Sequence, residues 1–258
     1  MELKLKNKYY LVTGASSGFG RAVAEALIEE GAYVLINARS EEKLKEIQKL
    51  APKRVDYLAV DITIPLEQDK LLNKLGSREL DGAFINAGGP PAKSALETKL
   101  KDWDDAYKTL VRWKIRITKK LVYKLMSSGG GKMIFLESIS VKQPVPNLVL
   151  SNAMRMAMVG YVKSLSDEVG KKGVNMNILA PGYHDTDAMN RIIKKKALVN
   201  DVSEEEARKI IVSETKLGKM GDPKDLASLA LWLFSDHAQY ITGQTISVDG
   251  GLTRGVFG

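Results

Sequence analysis

The stretch Thr13-Gly14-Ala15-Ser16-Ser17-Gly18-Phe19-Gly20 follows the apolar run Tyr9 to Val12 and opens a segment in which Phe19, Val23, Ala26 and Leu27 recur at helical spacing as far as Gly31. A glycine pattern gains physical meaning when it lies between a strand and an amphipathic helix, as here. Gly14 permits a tight turn, and Gly18 and Gly20 let backbone approach a pyrophosphate and let the helix pack on the strand. The helix start offers free N–H groups and a partial positive charge, which is the chemistry that holds phosphates. Gly14, Ser16, Ser17, Gly18, Phe19 and Gly20 are therefore candidate contacts to a dinucleotide.

Outward from this loop, short β-type runs alternate with helical patterns along the whole chain. Strands are predicted near Tyr9 to Val12, Tyr33 to Asn37, Val55 to Val60, Gly82 to Asn86, Lys132 to Glu137, Val174 to Leu179 and Thr245 to Val248. Such alternation predicts an α/β fold: a Rossmann-type, doubly wound parallel sheet of seven strands with helices on both faces. No long linker or internal repeat divides the sequence, so residues 1–258 are read as a single domain. The least regular part, about 187–221, reads as an insertion over the ligand-binding rim of the sheet and hence a lid.

Composition bounds the function. At 44% hydrophobic and 27% charged residues the 258-residue chain can bury a full core. No run reaches the roughly 20 apolar residues that cross a bilayer. The start, Met1-Glu2-Leu3-Lys4-Leu5-Lys6, alternates charge with leucine, and a cytoplasmic protein with no membrane association is expected. The absence of cysteine excludes disulfides and thiolate chemistry, and two histidines make no metal site expected. The formal charge of +8 raises nucleic acid as a partner, but the basic runs Lys119-Lys120, Lys171-Lys172 and Lys194-Lys195-Lys196 are scattered, so no nucleic-acid partner is expected.

The end of the second predicted strand decides which dinucleotide is bound. An acid there would take the ribose 2′-hydroxyl of NAD and repel the 2′-phosphate of NADP. The residues are Asn37-Ala38-Arg39-Ser40, with no acid. Arg39 can pair with a phosphate in fork geometry and Ser40 can add a hydroxyl, so NADP(H) is favoured over NAD(H). The competing reading of Arg39 is a surface ion pair with Glu41 or Glu42. Asp61-Ile62, after the third strand, suits an adenine edge.

These motifs occur in order with Asn86-Ala87-Gly88, Pro181-Gly182 with Thr186, and Gly243-Gln244 leading to Asp249-Gly250-Gly251. From about residue 7 to residue 251 the chain resembles the short-chain dehydrogenase/reductase family, in particular its 3-oxoacyl-carrier-protein reductases and sugar dehydrogenases. The resemblance implies that Asn86, Ala87, Gly88, Pro181, Gly182 and Thr186 line the cofactor, that segment 187–221 covers a small-molecule substrate, and that the protein is a homodimer or homotetramer.

It also implies catalytic positions, where the sequence departs from the family pattern. Ser138, in Leu136-Glu137-Ser138, stands where the family has its serine. The tyrosine position holds Ser151, the lysine position holds Arg155 and the asparagine position, seven residues after Trp103, holds Leu110. An aliphatic hydroxyl is a far weaker acid than a phenol, and a guanidinium does not relay protons. Ser138, Ser151 and Arg155 are the catalytic candidates, with Arg155 also placed to bond the cofactor ribose and His184 a candidate substitute acid. Two readings stay open. One is an NADP(H)-dependent oxidoreductase acting on a carbonyl/alcohol pair, such as a 3-oxoacyl thioester or a sugar. The other is a catalytically inactive dinucleotide-binding regulatory or assembly protein. Trp103, Trp113 and Trp232 read as core or interface residues.

Overall fold

The computed structural model describes residues 2–256. Seven parallel strands, β1 Tyr9–Thr13, β2 Tyr33–Ala38, β3 Val55–Ala59, β4 Gly82–Ile85, β5 Gly131–Leu136, β6 Val174–Pro181 and β7 Thr245–Val248, form one sheet in the order β3-β2-β1-β4-β5-β6-β7. The seven predicted strands are these seven, displaced by a residue or two at their ends. The order reverses beside β1, which pairs with β2 on one side and β4 on the other. The connections leaving the C-terminal ends of β1 and β4 therefore diverge and open a crevice, the place where such sheets take ligands.

Strand residues alternate between two cores. Tyr10, Val12, Ile134 and Leu136 face one side, where α1 (Gly18–Glu29), α2 (Glu41–Leu50) and α9 (Pro223–Phe234) bury Val23, Leu27, Leu44, Leu226 and Phe234. Tyr9, Leu11, Met133 and Phe135 face the other, covered by α3 (Pro65–Leu75), α5 (Trp113–Ser127) and α6 (Val149–Val169) through Leu71, Ile117, Leu121, Met158 and Val162. The period of two in the strands and of about 3.6 in the helices makes this possible.

Two elements carry consequences for the site. Between α4 (Leu100–Tyr107) and α5 lies one π turn, Lys108–Arg112, and the indole of Trp113 donates to the Thr109 carbonyl inside it at 2.8 Å. A π turn adds a residue to the helical repeat and rotates everything after it by roughly 100°. The second element corrects an expectation. Residues 187–221 are not irregular but contain two helices, α7 (Asp187–Asn200) and α8 (Glu204–Ser213). They share a small core of Met189, Ile193, Ala197, Ala207 and Ile211, closed by Tyr183, Val202 and Met220. Short amphipathic faces so small gain their stability from pairing with each other, which composition alone does not display.

No helix among the described residues is long and apolar enough to cross a membrane, and no cluster of metal-ligating side chains occurs among them. A surface hollow of about 690 Å³ lies at the N-terminal edge of the sheet between Lys8, Asp81, Lys132 and Tyr240, opposite the crevice.

Candidate active site

The glycine loop is held by its neighbours into the shape that a dinucleotide needs. Thr13 and Asn86 lock β1 to β4: the Thr13 hydroxyl donates to the Asn86 carbonyl at 2.7 Å and accepts from the Asn86 N–H at 2.8 Å. Gly14 adopts φ 63°, and a Cβ there would stand 2.8 Å from the Asn86 carbonyl. A Cβ on Gly20 would overlap the Gly14 carbonyl, so α1 can approach β1 only with glycine at this position. Ser17 begins α1 without a side-chain cap, and no acidic residue lies in the first turn. The N–H groups of Gly18, Phe19 and Gly20 and the positive end of the helix are thus left for an anion. Thr186 caps α7 and places its methyl beside Gly18.

At the far end of the crevice, Arg39 is exposed and has neither a hydrogen bond nor an ion pair among the described residues. Glu41, one of its competing partners, is committed to Lys45 at 2.9 Å and to the Tyr57 hydroxyl at 3.1 Å. Ser40 caps α2 without using its side chain. One Asp61 oxygen accepts from the backbone and hydroxyl of Thr63, while Ile62 is buried against the sheet. Along the same rim a groove of about 480 Å³ runs between Ser17 and the α7 residues Asp187, Asn190, Arg191 and Lys194.

Beyond the end of β5 the polar groups converge. Arg155 on α6 is 9% exposed; its Nε donates to the Ser151 hydroxyl at 3.0 Å, one helical turn back. Its Nη1 donates to the Glu137 carbonyl at 3.0 Å and to the Glu137 carboxylate at 3.1 Å. The other oxygen of that carboxylate meets Lys114 Nζ from α5 at 2.5 Å, and both side chains are buried. Burial pushes the Lys114 ammonium below the ordinary lysine range and Arg155 adds to the shift, while Glu137 opposes it. Ser138 follows Glu137 and is half-buried, its hydroxyl accepting from the Ser140 N–H at 3.2 Å.

His184 has a different place. Its ring stands edge-on to Phe19 at 5.0 Å, touches the Gly221 backbone, and turns Nδ1 to the Gly182 carbonyl at 3.3 Å. Burial lowers its pKa, disfavouring the charged imidazolium, and its contacts are with Phe19 and with the Gly182 and Gly221 backbone. Tyr183 donates to Glu214 at 2.9 Å, and Glu214 also pairs with Lys196, which clasps α7 to the end of α8. Tyr161 is pushed up to about 12 by burial.

Residues 14–253 match the family described as enoyl-(acyl carrier protein) reductase. The 3-oxoacyl-(acyl-carrier-protein) reductase FabG of Salmonella typhimurium is 30% identical over 252 residues, 97% of this chain and 99% of the relative. The enzyme of the same name from Aquifex aeolicus is 29% identical over 258 residues, 98% and 100% of the two chains. Among solved structures, the L-sorbose reductase of Gluconobacter frateurii complexed with NADPH and L-sorbose superposes with a TM-score of 0.93 at 27% identity, covering 99% of this chain and all of its own. An actinorhodin polyketide ketoreductase with NADPH gives 0.91 at 27% identity over 96% and 98%. This chain is a short-chain dehydrogenase/reductase.

As a member of this family of NAD(P)-dependent oxidoreductases, the protein places its site residues unevenly against the sequence expectations. Ser151 and Arg155 are brought into direct contact, and Arg155 is tied to the backbone just before Ser138. Leu110 is fully buried in the apolar core. The ribose contact expected of Arg155 falls to the one nitrogen, Nη2, that has no partner among the described residues. Glu137 and Lys114 were not anticipated, although both left a signal. Glu137 directly follows an apolar strand, and Lys114 lies on the apolar stripe Ile117, Leu121 and Leu125 of its helix. A charge on a buried face calls for a partner.

Proposed function

We propose that this protein is an NADP(H)-dependent oxidoreductase acting on a carbonyl/alcohol pair, with the reacting oxygen received by Ser151, Ser138 and Arg155. The observation that carries this reading is the Arg155 Nε bond to Ser151 Oγ, because it occupies a lone pair of the hydroxyl and leaves its proton free to donate. Three charged groups are gathered beside that hydroxyl at a desolvation cost of several kcal/mol per ion, which a site kept only for cofactor binding does not require.

The residues fit the cofactor. Bound NADP(H) supplies or accepts the hydride. Gly14 and Gly20 keep the loop before α1 free of side chains where a pyrophosphate would lie, Arg39 and Ser40 would hold a 2′-phosphate, and Asn86, Ala87 and Gly88 with Pro181, Gly182 and Thr186 would border the nicotinamide half. At the reacting carbon, Ser151 and Ser138 hydrogen-bond the substrate oxygen and Arg155 stabilises the negative charge that develops there. The proton for that oxygen comes from hydronium or a dissolved weak acid at the crevice mouth, since guanidinium, aliphatic hydroxyl and neutral water are all too weakly acidic to supply it efficiently.

Acyl thioesters and ketoses are the substrate classes favoured by the activities named for the relatives. A homodimer or homotetramer is also proposed: among the described residues β7 pairs with β6 alone, and Tyr240, which precedes it, is fully exposed. The deciding experiment measures NADPH and NADH binding by fluorescence, then NADPH oxidation over 3-oxoacyl thioesters, ketones, ketoses and polyols. Turnover with NADPH supports the reading. Tight NADPH binding with no turnover on the panel overturns it in favour of a dinucleotide-binding regulatory protein.

A further inference from the structure

Lys114, Glu137 and Arg155 reach one point from three elements, α5, the end of β5 and α6. Glu137 Oε1 takes Lys114 and Oε2 takes Arg155, with the lysine and glutamate side chains 1% and 0% exposed. A guanidinium facing a single buried carboxylate forms a neutral pair, and the carboxylate cancels most of its field at any ligand nearby. Adding a second cation to the same carboxylate changes this sum, because two positive charges and one negative leave one positive charge over. Stability does not ask for such a cluster, since apolar replacements of buried ion networks are often neutral or stabilising.

The orientation of Arg155 says where that surplus is directed. Nε is used on Ser151 and Nη1 on Glu137, while Nη2 has no hydrogen-bond partner among the described residues. Nη2 would stand 3.6 Å from a Cβ placed on Gly89, an exposed residue in the loop leaving β4. The free arm therefore points toward the loop leaving β4, on the crevice side where a cofactor would bind. We propose that Glu137 and Lys114 are positioning residues: Glu137 aims the guanidinium, and Lys114 neutralises Glu137 so that Arg155 presents an uncancelled charge to an anionic oxygen in the crevice. This rests on the oxidoreductase reading above and deepens it by naming how the oxyanion is held.

The charged groups facing Lys114 are Glu137 from β5 and Arg155 from α6. Its own helix turns Lys119 and Lys120 to solvent and Arg116 onto Asp69, and Arg112 in the π turn is also exposed. Burial holds the Lys114 proton less tightly than usual. Activity dependent on its charge is therefore fully present at lower pH and falls on an alkaline limb that begins below the ordinary lysine range.

Three proteins test this: wild type, Lys114→Met, and Lys114→Met combined with Glu137→Gln. The single change keeps the Glu137–Arg155 pair but removes the surplus charge. The double change removes one charge of each sign and restores it. Expected for Lys114→Met is a kcat about 10- to 100-fold lower with KM little altered, no alkaline limb, and NADPH affinity within about threefold of wild type. The double variant recovers most of that loss and also lacks the limb. A purely structural role predicts the reverse order, with the double variant no better than the single. In parallel, acetate, a small oxyanion mimic, is titrated against each NADP-loaded protein by tryptophan fluorescence. Its affinity should drop about tenfold in the single variant and return in the double. Unchanged kcat and acetate affinity in Lys114→Met, or no recovery in the double variant, overturns the proposal. Absence of turnover with acetate binding that follows the charge count refutes the oxidoreductase reading alone. Absence of any acetate binding by NADP-loaded wild type together with absence of turnover refutes both.

Discussion

Arg39 is the residue on which cofactor choice turns. Its guanidinium is exposed just after β2 and has no partner among the described residues, with Glu41 already committed elsewhere. Arg39→Asp replaces a fork donor by a like charge to the phosphate, so NADPH affinity should fall at least tenfold while NADH affinity changes about threefold or less. Fluorescence titration with both cofactors checks this, and equal losses refute the assignment. His184 gives a second prediction at this scale. Burial lowers its folded-state pKa below the ordinary 6.5. As pH falls past 6.5, the unfolded chain takes up a proton that the folded chain resists, and stability is lost until the folded group protonates too. Thermal melts through this range should show a falling Tm, and His184→Gln should flatten the part of the slope due to this residue. An unchanged slope would show that the ring is not the buried neutral group described.

Among the elements, the β1-loop-α1 unit was legible because its glycines answer to local geometry. Gly20→Ala places a methyl against the Gly14 carbonyl, with no flexible side chain to yield. Overpacking of this kind costs about 1–3 kcal/mol or more and shifts the loop that cradles the phosphates. The expected result is a Tm lower by several degrees, read by calorimetry, with weaker NADPH binding. Full retention of both would contradict the close approach. The α4-to-α5 segment was less legible. The family spacing from Trp103 puts Leu110 at the asparagine position, and Leu110 is buried in the apolar core; the π turn at Lys108–Arg112, which no residue pattern displays, shifts the helical phase after it, and Lys114 meets Glu137. In the same way α7 and α8 looked irregular because their shared face is only five buried residues.

At the scale of the molecule, the edge strand β7, the exposed Tyr240 and the family resemblance together support assembly. Light scattering after size exclusion should give two or four times the 28.4 kDa chain mass. A mass of one chain would refute this. Assembly need not create the site, because Ser151, Arg155, Glu137 and Lys114 meet within one chain.

The sequence by itself determined the parallel sheet, the position of the glycine cradle and the missing acid beside Arg39. Each of these is a short-range property: period-two strands, a strand-loop-helix junction, the residue that ends a strand. Only the tertiary structure decided what surrounds Ser151. Lys114, Glu137 and Arg155 are separated by 23 and 18 residues and approach through three elements, one of them rephased by a π turn. Whether a buried charge finds a partner depends on the packing of those elements to within about an ångström, which no local pattern of residues specifies.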